Sequence, residues 1–151
     1  GSENQVVARQ STVPVLSVSL KNQSLNPKEI LYIHNLKKHP LIAPHRLIIS
    51  LKKAFSSRIH LLYINHKGND LDHARSDIEE YIDQHQLKDV KAEIIDDDDV
   101  KDAISSYNMD SIDLICLGTH GRGALSQFFK KSIAERLIKS ADKPILTFRI
   151  S

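Results

Sequence analysis

Apolar positions along this chain switch between two periods. Ile30-Leu31-Tyr32-Ile33 is a short continuous run of strand type. From Pro44 to Phe55, Leu47, Ile48, Leu51 and Phe55 recur at helical spacing, with Lys52 and Lys53 on the outer side. Ile59 to Ile64 predicts a second strand. Leu71 to His85 sets Leu71, Ala74, Ile78, Tyr81 and Ile82 on one helical face among Asp and Glu. Val90 to Ile95 alternates as a strand does, and Val100 to Tyr107 predicts a short helix. Ile112 to Leu117 lacks polar alternation apart from Asp113, which predicts a central strand covered on both faces. Ser132 to Ser140 predicts a helix and Pro144 to Ile150 the last strand.

From Lys28 onward the order is therefore β-α-β-α-β-α-β-α-β. Strands separated by helices run parallel through right-handed crossovers. The expected fold is α/β, a doubly wound five-stranded parallel sheet flanked by helices. Ligands of such sheets sit beyond the carboxyl ends of the strands.

The first 20 residues stand outside this series but echo its end. Val6-Val7-Ala8-Arg9 leads to Val13-Pro14-Val15-Leu16-Ser17-Val18. Arg136-Leu137-Ile138-Lys139 leads to Lys143-Pro144-Ile145-Leu146-Thr147-Phe148. Pro14 and Pro144 stand 130 residues apart, close to the length of one such domain. The expected organisation is a tag remnant (Gly1-Ser2), the end of a preceding repeat and a linker over residues 1–27, then one domain over 28–151. The extra strand, about Val13 to Leu20, is expected to add antiparallel to Pro144–Ile150, within the chain or from a second copy. Left alone it would expose a row of N–H and C=O groups.

Composition narrows the classes. The chain has 151 residues, 40% hydrophobic and 26% charged, enough for one core without staples. Net charge is only +2, from 21 basic and 19 acidic residues, so bulk electrostatics recruits no nucleic acid. No stretch approaches the roughly 20 apolar residues of a membrane span. The start has no signal pattern, and the single cysteine, Cys116, reads as a buried reduced thiol. A cytoplasmic location is expected. Asp96 to Asp99 lacks the glycine and distal glutamate of a calcium loop and reads as a helix N-terminal charge run. His34, His39 and His45 carry no metal-ligand spacing, so no metal site is expected. No Gly-x-Ser-x-Gly elbow is present, and no catalytic group is assigned.

The chemistry concentrates at Gly118-Thr119-His120-Gly121-Arg122-Gly123, after the strand ending at Leu117. Glycines there let the backbone approach a ligand, and free N–H groups suit a phosphate. Gly118, two residues, Gly121, nine residues, then Lys131-Ser132 opening a helix resembles the motif Gly-x2-Gly-x9-Gly-(Ser/Thr) of the universal stress protein family. Asp113-Leu114-Ile115, Ile133-Ala134-Glu135-Arg136 and Lys143-Pro144-Ile145-Leu146 match as well. The resemblance covers Lys28 to Ile150 and, through the echo, the N-terminal strand, which makes the chain look like the second domain of a tandem protein. It implies a fold of the adenine nucleotide alpha hydrolase type. It also implies a homodimer or tandem-domain partner through the final strands, Val13–Leu20 and Pro144–Ile150.

Many members of that family bind ATP, ADP or AMP between the ends of the first, second and fourth strands, with Mg²⁺ when the triphosphate binds. Others hold no nucleotide. The positions this implies here are Asn35, Ile64, Gly118, Thr119, His120, Gly121, Arg122, Gly123, Lys131, Ser132 and Ile133. Two of them depart from the family. Lys131 replaces the third motif glycine, where it either crowds the phosphates or contacts them through its charge. Asn35 replaces an acidic residue, and its amide can still hydrogen-bond a base or ribose. Ser132 with Glu135 reads as a capping box. Three functions follow: a stress-response module holding an adenine nucleotide, a nucleotide-free interaction module with a degenerate pocket, and a slow nucleotide hydrolase kept open by His120.

Overall fold

The computed structural model describes residues 11–19, 21, 24–34, 42–65, 70–96, 107, 109–120 and 143–150. The strands are β1 (Val15–Ser17), β2 (Glu29–His34), β3 (Arg58–Asn65), β4 (Val90–Asp96), β5 (Leu114–His120) and β6 (Ile145–Ile150). Two helices, α1 (Ile42–Phe55) and α2 (Leu71–Gln84), separate β2, β3 and β4. A 3-10 turn, Met109–Ser111, precedes β5. Of the expected helix Val100–Tyr107 only Tyr107 lies among the described residues, and the expected helix Ser132–Ser140 lies outside them.

The six strands form one sheet in the order β1-β6-β5-β2-β3-β4. β2 through β6 run parallel, and β1 lies antiparallel on β6 with Val15 opposite Thr147 and Ser17 opposite Ile145. The expected five-stranded parallel sheet with an extra N-terminal strand is thus present. The extra strand is shorter than Val13–Leu20 and is supplied by the chain itself.

Strand alternation divides the core. Ile30, Tyr32, Ile59, Leu61, Tyr63, Leu114, Cys116, Leu146 and Phe148 share one face and pack with Ile48 of α1 and Ala74 and Ile78 of α2. On the other face Leu31, Ile33, Leu62, Ile115, Leu117 and Ile145 are also buried. Burial on both faces explains why these strands read as unbroken apolar runs. Each such side chain contributes about 1.5–3 kcal/mol of apolar transfer.

The helices end where their sequences dictate. Asp70 caps α2 by accepting the Asp72 N–H through its side chain at 3.3 Å. Beyond α2, Gln86 takes φ 51°, and its N–H and that of Leu87 close back on Asp83 and Ile82 at 3.1 and 3.0 Å. Ser56 does the same after α1 at φ 52°, with the Ser57 N–H on the Lys52 carbonyl at 3.0 Å.

Two boundaries differ from expectation. The expected strand from Ile112 begins only at Leu114, because the Asp113 carboxylate turns back to accept the N–H groups of Lys28 and Glu29, each at 2.9 Å. That strand also continues past Leu117 to His120. Gly118, Thr119 and His120 pair with Phe148, Arg149 and Ile150, so the glycine segment begins inside β5 and not after it.

Candidate functional site

The carboxyl edge of the sheet is where the order of strands reverses. From β2 the chain moves outward in one direction to β3 and β4, with α1 and α2 packed on one face. It then returns to the other side of β2 to form β5. Connections leaving such a reversal diverge and open a crevice between the two strands. Here those strands are β2 and β5, aligned so that Ile33 lies opposite Leu117. The next residues are His34, which closes β2, and Gly118.

The sequence-derived positions distribute around this edge. Gly118, Thr119 and His120 form the last three residues of β5. Ile64 lies one residue before the end of β3, which flanks β2 on its other side and pairs Ile64 with Ile95. Ile64 and Gly118 therefore stand on the two neighbours of β2 at the same edge of the sheet. Asn35, Gly121, Arg122, Gly123, Lys131, Ser132 and Ile133 lie outside the described residues.

One residue at this edge was not anticipated. Asn65 ends β3 and is only 2% exposed. It sits on the face opposite Ile64, the face that also carries Tyr63. A polar residue closing the run Ile59 to Ile64 is the signal that could have found it. Its amide offers both donor and acceptor within a strand's length of Gly118.

Cys116 lies two residues before Gly118 and is fully buried. Burial pushes its thiol up to about 12, so it is an inert packing group in β5. This agrees with the reading of a reduced, buried cysteine.

A second polar cluster occupies the opposite, amino end of the sheet. His60 of β3 places Nδ1 2.9 Å from the Tyr107 hydroxyl and Nε2 2.5 Å from a Glu29 carboxylate oxygen. A carboxylate only accepts, so Nε2 carries the donated hydrogen; a neutral imidazole then accepts the Tyr107 O–H at Nδ1. Burial, with the charges of Glu93 and Glu29, raises the Tyr107 phenol above its usual range and keeps it a donor. Arg58 lies 3.8 Å from Glu29. Each partner is satisfied, and the cluster ties residue 107 to β2 and β3. It stands away from the crevice and supplies nothing to it.

Among the described residues no group of three His, Cys, Asp or Glu side chains could hold a metal ion. No helix among them is long and apolar enough to cross a membrane.

A family model described as "Universal stress protein family" matches residues 43–149. No curated protein matches the chain. Among solved structures, a universal stress protein from Archaeoglobus fulgidus superposes with a TM-score of 0.68 at 17% identity, over 97% of this chain and 53% of its own. A putative universal stress protein from Pseudomonas aeruginosa gives 0.63 at 14%, over 99% and 56%. A universal stress protein in complex with cAMP gives 0.59 at 13%, over 83% and 99%. The chain thus spans about half the length of the first two and nearly the whole of the third. At these identities the likeness shows the fold.

Proposed function

The chain belongs to the universal stress protein family, and we propose that it acts as a stress-response module holding an adenine nucleotide at the carboxyl ends of β2, β3 and β5. The observation that carries this reading is the strand reversal between β2 and β5, which sets the start of the Gly118-x2-Gly121 segment beside the end of β2. The adenine and ribose would lie toward Asn35, Ile64 and Asn65. The phosphates would meet backbone N–H groups of Gly118 to Gly123 and the start of the helix expected from Ser132, with Thr119, His120, Arg122, Lys131 and Ile133 around them. ATP, ADP and AMP all fit this scheme, and Mg²⁺ would enter on the triphosphate's own oxygens. That a solved relative of this fold was captured with cAMP supports a nucleotide as the ligand class.

Binding without dedicated catalysis is the favoured activity, because no carboxylate or imidazole is set by motif as a base for attack on phosphate. The competing reading, a nucleotide-free interaction module, rests on Lys131 where the family motif has glycine. Thermal shift with ATP and Mg²⁺ separates the two: a nucleotide binder gains stability with ligand concentration. Calorimetry on the wild type and Lys131→Gly then assigns the lysine. Tighter binding by the variant means crowding, weaker binding means a charge contact, and no binding by either protein means a closed pocket. Phosphate release above background would instead favour the hydrolase reading.

The reading extends to assembly. β1 lies on β6 as the last strand of a neighbouring repeat would, and Val15-Leu16-Ser17 echoes Ile145-Leu146-Thr147. Together with the half-length match to two larger relatives, this supports one domain of a tandem protein. The β6 edge would then serve the neighbouring repeat through β1.

A further inference from the structure

β1 and β6 meet with a local two-fold symmetry. Val15 lies opposite Thr147, Leu16 opposite Leu146 and Ser17 opposite Ile145. The echo between the two ends of the chain makes Val15 the counterpart of Ile145, Leu16 of Leu146 and Ser17 of Thr147. Exchanging each residue for its counterpart therefore reproduces the same pairs, with Leu16 and Leu146 on the axis. Such reciprocity is what two equivalent copies of one surface produce. The axis stands perpendicular to the sheet, because residues directly opposite one another project to the same face.

The same axis says what belongs beyond β1. On β6, β5 runs parallel along one edge, and α1 packs over the face carrying Leu146 and Phe148, which are 7% and 3% exposed. On β1 no such strand lies along the outer edge among the described residues. Leu16 and Val18, the counterparts of Leu146 and Phe148, are 43% and 53% exposed. With Val13, three of the four exposed large apolar side chains among the described residues fall in this one segment. Residues 11–20 also include no charged side chain. A strand that ends a sheet is commonly blunted by charge, above all by lysine. This strand has instead the composition of one whose face is covered. The relatives agree with that reading. The two larger ones match 97% and 99% of this chain and the shorter, cAMP-bound one 83%. The shortfall is close in size to the segment before Lys28, which points to a counterpart of β1 in the double-length proteins.

We infer that β1 is the docking surface for a second repeat of this fold. A strand of that repeat, the counterpart of β5, runs parallel along the outer edge of β1, and a helix of the α1 type covers Leu16 and Val18. Such docking rests on the tandem reading of the chain, and it names the surface that holds the second repeat.

A tandem polypeptide supplies the partner: residues 28–140 of this chain are placed directly before residue 11, so that β1 becomes the last strand of the added copy in the register of the echo. Amide hydrogen exchange is read at residues 15–18 in the tandem and in the chain as it stands. The outward-facing amides are expected to exchange at least about tenfold more slowly in the tandem, because their edge and face are then covered. Leu16→Lys/Val18→Lys is the control. In the chain as it stands it should leave the melting temperature near wild type, since both side chains are exposed and edge strands tolerate lysine. In the tandem it should abolish the slowing, because burying an unpaired charge beneath a helix is strongly unfavourable. A copy that folds while residues 15–18 exchange as fast as before overturns the docking surface alone. A copy that stays unfolded overturns it together with the tandem reading, and equal protection in the wild-type and lysine tandems overturns it as well.

Discussion

Asp113→Ala tests how the reversal between β2 and β5 is anchored. The Asp113 carboxylate accepts two backbone N–H groups, of Lys28 and Glu29, each at 2.9 Å, while its own N–H donates to the Glu29 carbonyl at 2.9 Å. The backbone bond survives the substitution and the two side-chain bonds do not. Hydrogen bonds to a charged acceptor contribute about 1.5–3 kcal/mol each. The Lys28 bond is exposed, so water can replace most of it; the Glu29 bond is partly buried and cannot be replaced so easily. The expected loss is therefore about 2–3 kcal/mol, or about 5–10 °C in melting temperature for a chain of this size. Asp113→Asn keeps one side-chain oxygen able to accept and should lose only about 1 kcal/mol. Urea unfolding followed by circular dichroism measures both. The reasoning fails if Asp113→Ala lies within about 0.5 kcal/mol of wild type, or if Asn is as damaging as Ala.

Further expectations concern the core, the polar cluster and the edge strand. Burial raises the Cys116 thiol to about 12 from an ordinary 9.0. The unfolded chain therefore releases this proton first, and stability should fall as pH rises above about 9, by on the order of 2 kcal/mol at pH 10.5. Urea midpoints at pH 8 and 10.5 measure this, and Cys116→Ala should flatten part of the slope, the rest coming from Tyr81, which burial raises to about 12, and from Tyr32, Tyr63 and Tyr107, which burial also raises. His60→Ala strands the Glu29 and Tyr107 groups and should cost about 2–4 kcal/mol in the same assay, with His60→Gln recovering part of it. Removing residues 3–20 uncovers the outer edge of β6 and should produce a larger solution mass or lower solubility by light scattering; an unchanged monomer would show that β1 protects nothing.

Most of the sheet is legible in the sequence because its strands are buried on both faces and therefore stand out as unbroken apolar runs. Ile30–Ile33 and Ile59–Ile64 each fall within one residue of the observed strand at either end. β5 departs from the expected strand at both ends for reasons that lie elsewhere in the chain. Asp113 leaves the strand to meet Lys28, 85 residues away in sequence. Gly118 to His120 stay in it because β6 runs beside them to Ile150, and a glycine alone does not say whether a neighbour is there. The candidate crevice follows from strand order plus the glycine spacing, and both are readable in the sequence. Asn65 escaped notice because one polar residue at a strand end has many ordinary readings.

The central claim is that adenine nucleotide binds at the carboxyl edge of β2, β3 and β5. Amide resonances of the isotopically labelled chain, titrated with ATP and Mg²⁺, test it most directly because they report location as well as affinity. The account predicts shifts gathered at residues 33–35, 64–65, 118–123 and 131–133, with residues 52–58 and 88–91 unmoved at moderate salt. No shift at millimolar nucleotide, or shifts gathered at the amino end of the sheet alone, would contradict it.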